Sequence, residues 1–194
     1  VLVGATSLVL WFRDRGWHWA GAVLAGLAFG FGAAMAWRIQ HIGQVLSLVY
    51  CALALLVVSR ALDRGSAAYG FAAGLVAGLM VLGRDQVALL GVYLLVGYVA
   101  WRVLAGAPEP DQRSDTLLRR FRHAAPPLLA GVLGGILVVA IPLLLTALVA
   151  GQSNRPAIDL EGAGRGSLHP ALLLTVFFPD LFGAAGRMED YWGP

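Results

Sequence analysis

The chain has 194 residues, a formal net charge of +3, 59% hydrophobic residues and 13% charged ones. With a mean hydropathy of +0.75 and repeated apolar runs of about 20 residues, this excludes a soluble globular domain and fits an all-α, polytopic membrane protein. The charge is too small and too dispersed for a nucleic-acid binder, and the single Cys51 excludes an internal disulfide framework.

Residues 1–12 are apolar from the first position, with no basic segment or small-residue cleavage motif before them, so no signal peptide is expected. They are expected to form the second half of a helix, ended by the charges at 13–16. Trp11, Trp17 and Trp19 flank those charges, as indoles do at a headgroup boundary. Because the chain opens inside a helix and stops after Tyr191, Trp192, Gly193 and Pro194, it is expected to be a fragment of a longer protein.

Residues 19–37 form the next expected span, about 29 Å at 1.5 Å per residue, enough to cross. Gly26 and Gly30 give it a small face, which lets helix backbones approach closely in lipid. The polar knot WRIQHIGQ at 37–44 follows. Residues 42–59 are the next span, ended by the charged stretch 60–66. Residues 67–82 are shorter and carry Gly70, Gly74 and Gly78 at four-residue intervals, a smooth face expected to pack on a neighbour.

A second polar knot, GRDQ at 83–86, precedes the span 87–104. Residues 105–125 are a connector with Pro108, Pro110 and several arginines, in which 117–121 reads as a short surface helix. The prolines at 126 and 127 open the last span, 128–150, where Pro142 removes one backbone hydrogen bond and is expected to kink the helix. The total is about six transmembrane helices. Residues 1–150 are expected to form a transmembrane helical domain incomplete at its N-terminus. Residues 151–194 are expected to begin an outward-facing interfacial segment, with Phe177, Phe178, Phe182, Tyr191 and Trp192 at headgroup depth.

All fourteen basic residues are arginine. Alternating loops place nine of them, from Arg13 and Arg15 through Arg60 and Arg64 to Arg102, Arg113, Arg119, Arg120 and Arg122, on one side. The short loops of the other side hold Arg38 and Arg84. The positive-inside rule puts the first set in the cytoplasm. Both knots and the tail after residue 150 then share the outer, periplasmic face of a bacterial cytoplasmic (inner) membrane.

Arg38 and Arg84 go against that bias. An arginine at helix centre costs roughly 2.5–3.5 kcal/mol on insertion scales, so both are expected at span ends. With Gln40, His41, Gln44, Asp85 and Gln86 they form an outward cluster suited to a phosphate, which guanidinium groups bind bidentately and amides complete. Headgroup snorkelling of the arginines and a self-satisfied Arg84–Asp85 turn are the plainer alternatives. In the tail, His169 and Asp180 are the candidates for substrate contact, Asp180 also suiting a turn or a helix N-cap. His18 and His123 are expected to be solvated. No His, Cys or carboxylate spacing points to a metal or a cofactor. Ser47 and Thr146 are the main polar residues noted within the spans.

FGAAM at 31–35 running into RIQH at 38–41 resembles the FSGFM…QH region of the bacterial YfhO-like membrane proteins. LLLTVFFPDLFG at 172–183 with YWG at 191–193 resembles that family's LLxxxxPxxFG…YWG segment. Gly32 and Ala33 stand where the family has serine and glycine. The resemblance implies a GT-C-like fold with an outward-facing site that uses a polyprenyl-phosphate-linked sugar. The family's catalytic carboxylate would precede Val1, leaving Asp85 as a weak catalytic candidate, while Arg38, His41, Arg84 and Asp85 would line the lipid-phosphate or acceptor side. The rival expectation is a non-catalytic membrane protein, either an assembly subunit or a translocase of lipid-linked substrates, that binds phosphate headgroups.

Overall fold

The computed structural model describes residues 1–83, 86–105, 117–152, 169–178, 180–183 and 191–193. Seven α-helices follow in order: α1 Leu2–Asp14, α2 Trp19–Phe31, α3 Ala33–Arg38, α4 Ile42–Arg64, α5 Ala67–Val81, α6 Gln86–Ala105 and α7 Leu117–Gln152. A 3₁₀ helix, Pro170–Val176, follows them. Among the described residues there is no strand. The chain divides into two compact units, Val1–Val149 and Ala150–Pro194.

The helical unit is built with small residues inside and large apolar ones outside. Ala22, Ala52, Ala54, Ala61, Ala73, Ala88 and Met80 are buried. Leu24, Phe31, Leu90, Val96, Ile141 and Leu144 are more than half exposed. A water-soluble fold puts such side chains inside. This arrangement is what lipid requires, because hydrocarbon solvates leucine as well as a protein core does and leaves close backbone packing to hold the helices together.

Four helical stretches are long and apolar enough to cross a membrane: Trp19–Arg38, Ile42–Arg64, Gln86–Ala105 and Leu117–Ala150. The 13 residues of α1 and 15 of α5 extend about 20 and 22 Å, short of a hydrocarbon core of roughly 30 Å.

Helix α4 is the hub. It packs against α1, α3, α5 and α6. Helix α1 also packs on α2, where Gly26 lies against Ala5 and Val9. The glycine face of α5 meets α7 as its spacing predicts. A Cβ at Gly70 would fall on the Pro127 carbonyl, and one at Gly74 on the Gly131 carbonyl.

Several boundaries differ from the sequence expectation. The span 19–37 is broken at Gly32, whose backbone is extended (ψ 159°) and caps α3, accepting from the Met35 and Ala36 amides. The Ala28 carbonyl lies where a Cβ of residue 32 would sit, so the break uses glycine's missing side chain. Helix α4 continues past Ser59 to Arg64, and in its last turns Arg60 pairs with Asp14 and Asp63 with Arg15 and Arg102. It ends at Gly65, in the left-handed conformation at φ 58°.

The short surface helix expected at 117–121 is instead the start of α7. That helix runs unbroken through Pro126, Pro127 and Pro142. The first two prolines free the carbonyls of Arg122 and His123, two exposed residues near the polar end of the helix. In the connector, Pro108, Pro110 and Arg113 lie outside the described residues.

Replacing Gly74 with valine places a side chain on backbone that cannot move aside. The thermal midpoint in detergent is expected to fall, by the equivalent of about 1–3 kcal/mol of overpacking. Gly97→Ala, where nothing lies within 4 Å, is expected to leave the midpoint unchanged or raise it slightly.

Candidate functional site

The first polar knot lies where α3 ends and α4 begins. Arg38 closes α3 and is half-buried, with its Nε shielded from solvent. The turn is tied by the His41 amide donating to the Arg38 carbonyl at 2.8 Å. Gln40 and His41 are exposed and Gln44 is half-buried on the first turn of α4. One turn further, Ser47 is buried and its hydroxyl donates to the Met80 carbonyl at 3.3 Å.

That bond ties α4 to the end of α5. The next residues of α5's exit, Leu82 and Gly83, continue over the same place: a Cβ at Gly83 would meet the Ser47 hydroxyl and the Gly43 carbonyl. The start of the GRDQ knot is therefore seated on the first knot's helix. Gln86, exposed, opens α6 at the same end. Arg84 and Asp85 lie outside the described residues. His169 and Asp180 belong to the second unit.

The four histidines separate by what their rings do. His18 and His169 each cap a helix, their Nδ1 accepting from the amides of Ala20 and Ala171 at 3.3 Å. His123 is exposed, as expected, and its ring also has a partner: its Nε2 lies 3.1 Å from the Leu62 carbonyl, and the ring covers Gly65. His41 occupies the N-cap position of α4, yet its side chain makes no capping bond. Asp180 is exposed and forms a turn, its carbonyl accepting from the Gly183 amide at 3.0 Å.

The densest described polar network lies at the opposite, arginine-rich end of the bundle. Three helices each contribute a pair four residues apart, and so on one face: Trp11 and Arg15 from α1, Ser59 and Asp63 from α4, Tyr98 and Arg102 from α6. Asp63 takes both Arg15 and Arg102, the latter at 2.5 Å. Ser59, fully buried, accepts from Trp11 Nε1 at 3.2 Å and Arg15 Nη2 at 2.6 Å. Those two donors fill its lone pairs, so its own proton goes to the Tyr98 hydroxyl at 2.8 Å. Tyr98 also accepts from Arg102 Nη1 at 3.2 Å. Beside this network, Asp14 pairs with Arg60 through contacts of 2.6 and 3.3 Å.

The two described carboxylates of the helical unit, Asp14 and Asp63, are thus both held by guanidinium groups. Among the described residues, no three His, Cys, Asp or Glu side chains gather where a metal ion could sit.

Asp63→Asn leaves the buried Arg102 and half-buried Arg15 guanidinium groups facing each other without their anion, whereas Arg102→Met leaves Asp63 paired to Arg15. The first substitution is therefore expected to destabilise more, by about 2–3 kcal/mol against about 1–2 kcal/mol for the second, as measured by unfolding in detergent. Both fall below the cost of breaking a fully buried pair because the Asp63 side chain keeps 35% of its exposure. Arg60→Met, in a more open pair, is expected to cost under about 1 kcal/mol.

Comparison with protein-family models, curated proteins and solved structures finds no match to this chain.

Proposed function

We propose that this chain is part of an integral-membrane, glycosyltransferase-like protein with a GT-C-like arrangement of about six crossings. It transfers a sugar from a polyprenyl-phosphate donor at the outer face of the cytoplasmic membrane. The observation that carries the reading is the seating of Gly83, the first residue of the second knot, on Gly43 and Ser47 of the first knot's helix, with Gln86 opening α6 at the same end. A second support is His41, whose ring is exposed and makes no capping bond, while the other histidines have structural partners. The sequence resemblance to YfhO-like proteins supplies the reaction class.

In this reading α1, α2 with α3, α4, α5, α6 and α7 cross in turn. The arginine-rich end faces the cytoplasm and the knots face outward. Arg38 and Arg84 hold the donor phosphate, with Gln40, Gln44 and Gln86 completing its oxygens. A carboxylate takes the proton of an acceptor hydroxyl, the hydroxyl oxygen attacks the anomeric carbon, and the polyprenyl phosphate leaves against the arginines. Asp14 and Asp63 are committed to ion pairs at the other end. Neither is then available as the base, for which Asp85 is the candidate the sequence names.

That same commitment of the described carboxylates favours the second reading, a non-catalytic assembly subunit whose outward arginines bind lipid phosphate. A translocase gains less support. Ser47 and Thr146, the polar residues read within its spans, donate to the carbonyls of Met80 and Pro142 and so serve the helices themselves.

In the full-length protein, Arg38→Ala, His41→Ala, Arg84→Ala and Asp85→Asn are each expected to cut glycan transfer by about 100-fold or more while the protein still folds, the scale of losing a transition-state donor or a proton acceptor. Transfer at the parental rate in all four would remove the knots from the mechanism. Loss of lipid-phosphate binding in a protein without transfer activity would select the assembly reading.

Orientation is tested separately in a Cys51→Ala background. A membrane-impermeant maleimide applied to intact cells is expected to label Gln40→Cys and to spare Arg119→Cys. The reverse pattern would overturn the outward placement of the knots.

A further inference from the structure

Helices α4, α5, α6 and α7 enclose an elongated cavity of about 560 Å³ whose lining is entirely apolar or glycine. It follows the arginine-end halves of these helices. Its walls run over residues 54–62 of α4, 70–77 of α5, 95–104 of α6 and 121–132 of α7. The ten-residue stretch of α6 covers about 15 Å, the depth of one leaflet of a hydrocarbon core of roughly 30 Å. The lip is open on the α6 and α7 side, where Val96 and Val132 remain 61% and 59% exposed.

We infer that this cavity binds one chain of an anionic phospholipid from the leaflet at the arginine-rich end. The lining offers no polar group to a soluble metabolite, while its length and volume suit an aliphatic chain. The charge at its rim selects the headgroup. Phe121 and Leu104 close the cavity at that end, and Arg120, the residue before Phe121, donates to the Leu104 carbonyl at 3.1 Å. A guanidinium is thereby fixed at the mouth. Arg119 and exposed Arg122 flank it on the first turns of α7. Basic groups around a cleft between membrane helices at a cytoplasmic face are the recognised setting for anionic headgroups. This site is at the other end of the bundle from the polar knots and does not depend on what they do.

The test uses purified full chain in nanodiscs containing phosphatidylglycerol and phosphatidylcholine of equal chain length. Lipid retained after detergent extraction is identified by native mass spectrometry. The parent protein is expected to retain phosphatidylglycerol in preference to phosphatidylcholine. Ala100→Phe, which fills the open lip without entering the packed interior, is expected to reduce total retained lipid at least five-fold. Combining Arg119→Gln, Arg120→Gln and Arg122→Gln is expected to lower the phosphatidylglycerol preference by about five-fold per arginine while chain occupancy persists.

If Ala100→Phe fails to elute as the parent does, Val96→Phe on the same lip replaces it. Equal retention of the two lipids by the parent, or full retention by the filled variant, overturns the inference. So does displacement of the bound species by inorganic phosphate alone, which would mean an anion site without a chain. Disulfide trapping of two copies through Ala100→Cys in a Cys51→Ala background would assign the cavity to a second protein chain and overturn it as well.

Discussion

One carboxylate holds the arginine-rich end of the bundle together. Asp63 receives Arg15 from α1 and Arg102 from α6, and its own helix, α4, is the hub on which both pack. Charges at the edge of a membrane are expensive to strip of water, and the cost is offset only when partners satisfy them geometrically. Ser59 and Tyr98 supply that satisfaction one turn deeper, so the network descends from the rim into the helices. The order of helices around α4 at this end depends on it. Removing the anion would set two like charges against each other at the seam of three helices.

Away from that end, packing is done by absence of side chain. Gly70 and Gly74 admit the α7 backbone to a distance that a single Cβ would forbid. In lipid there is little hydrophobic gain in covering a leucine, so close backbone contact supplies the association free energy. The same economy explains why α7 tolerates its prolines. Pro127 is fully buried and its carbonyl faces Gly70, so it contributes to the interface. Thr146, one turn beyond Pro142, returns its hydroxyl to the Pro142 carbonyl at 2.7 Å.

Much of this was legible in the sequence for physical reasons. Apolar run length identified the helices, because water-free hydrocarbon permits little else. Four-residue glycine spacing identified the α5 face, because helical periodicity is local. What escaped notice were features that need two distant segments. The pairs Trp11/Arg15, Ser59/Asp63 and Tyr98/Arg102 each have the spacing of one helix face and were visible one at a time. Only the topology brings them together. The positive-inside rule uses an arginine's side of the membrane and is blind to what it bonds to, and a span ends in sequence at the first charges, whereas α4 runs on to Arg64. His123 keeps its exposure to water, and only the fold adds its contact with the Leu62 carbonyl, which lies on another helix. The break at Gly32 depended on a backbone conformation that a glycine permits but does not dictate.

The two ends of the helical unit thus differ in what their polar groups do. At one end, both described carboxylates, a buried serine, a tyrosine and several arginines are consumed by one another, which leaves that end no described acid for chemistry. At the other, Gln40, His41 and Gln86 are exposed on turns that are themselves well anchored, by Ser47 to Met80 and by His41's own amide to Arg38. A binding or catalytic group needs a fixed backbone and an uncommitted side chain at once. In the described part of the bundle His41 is the side chain that meets both conditions most clearly: its backbone ties the α3–α4 turn, and its ring, in a capping position, does no capping.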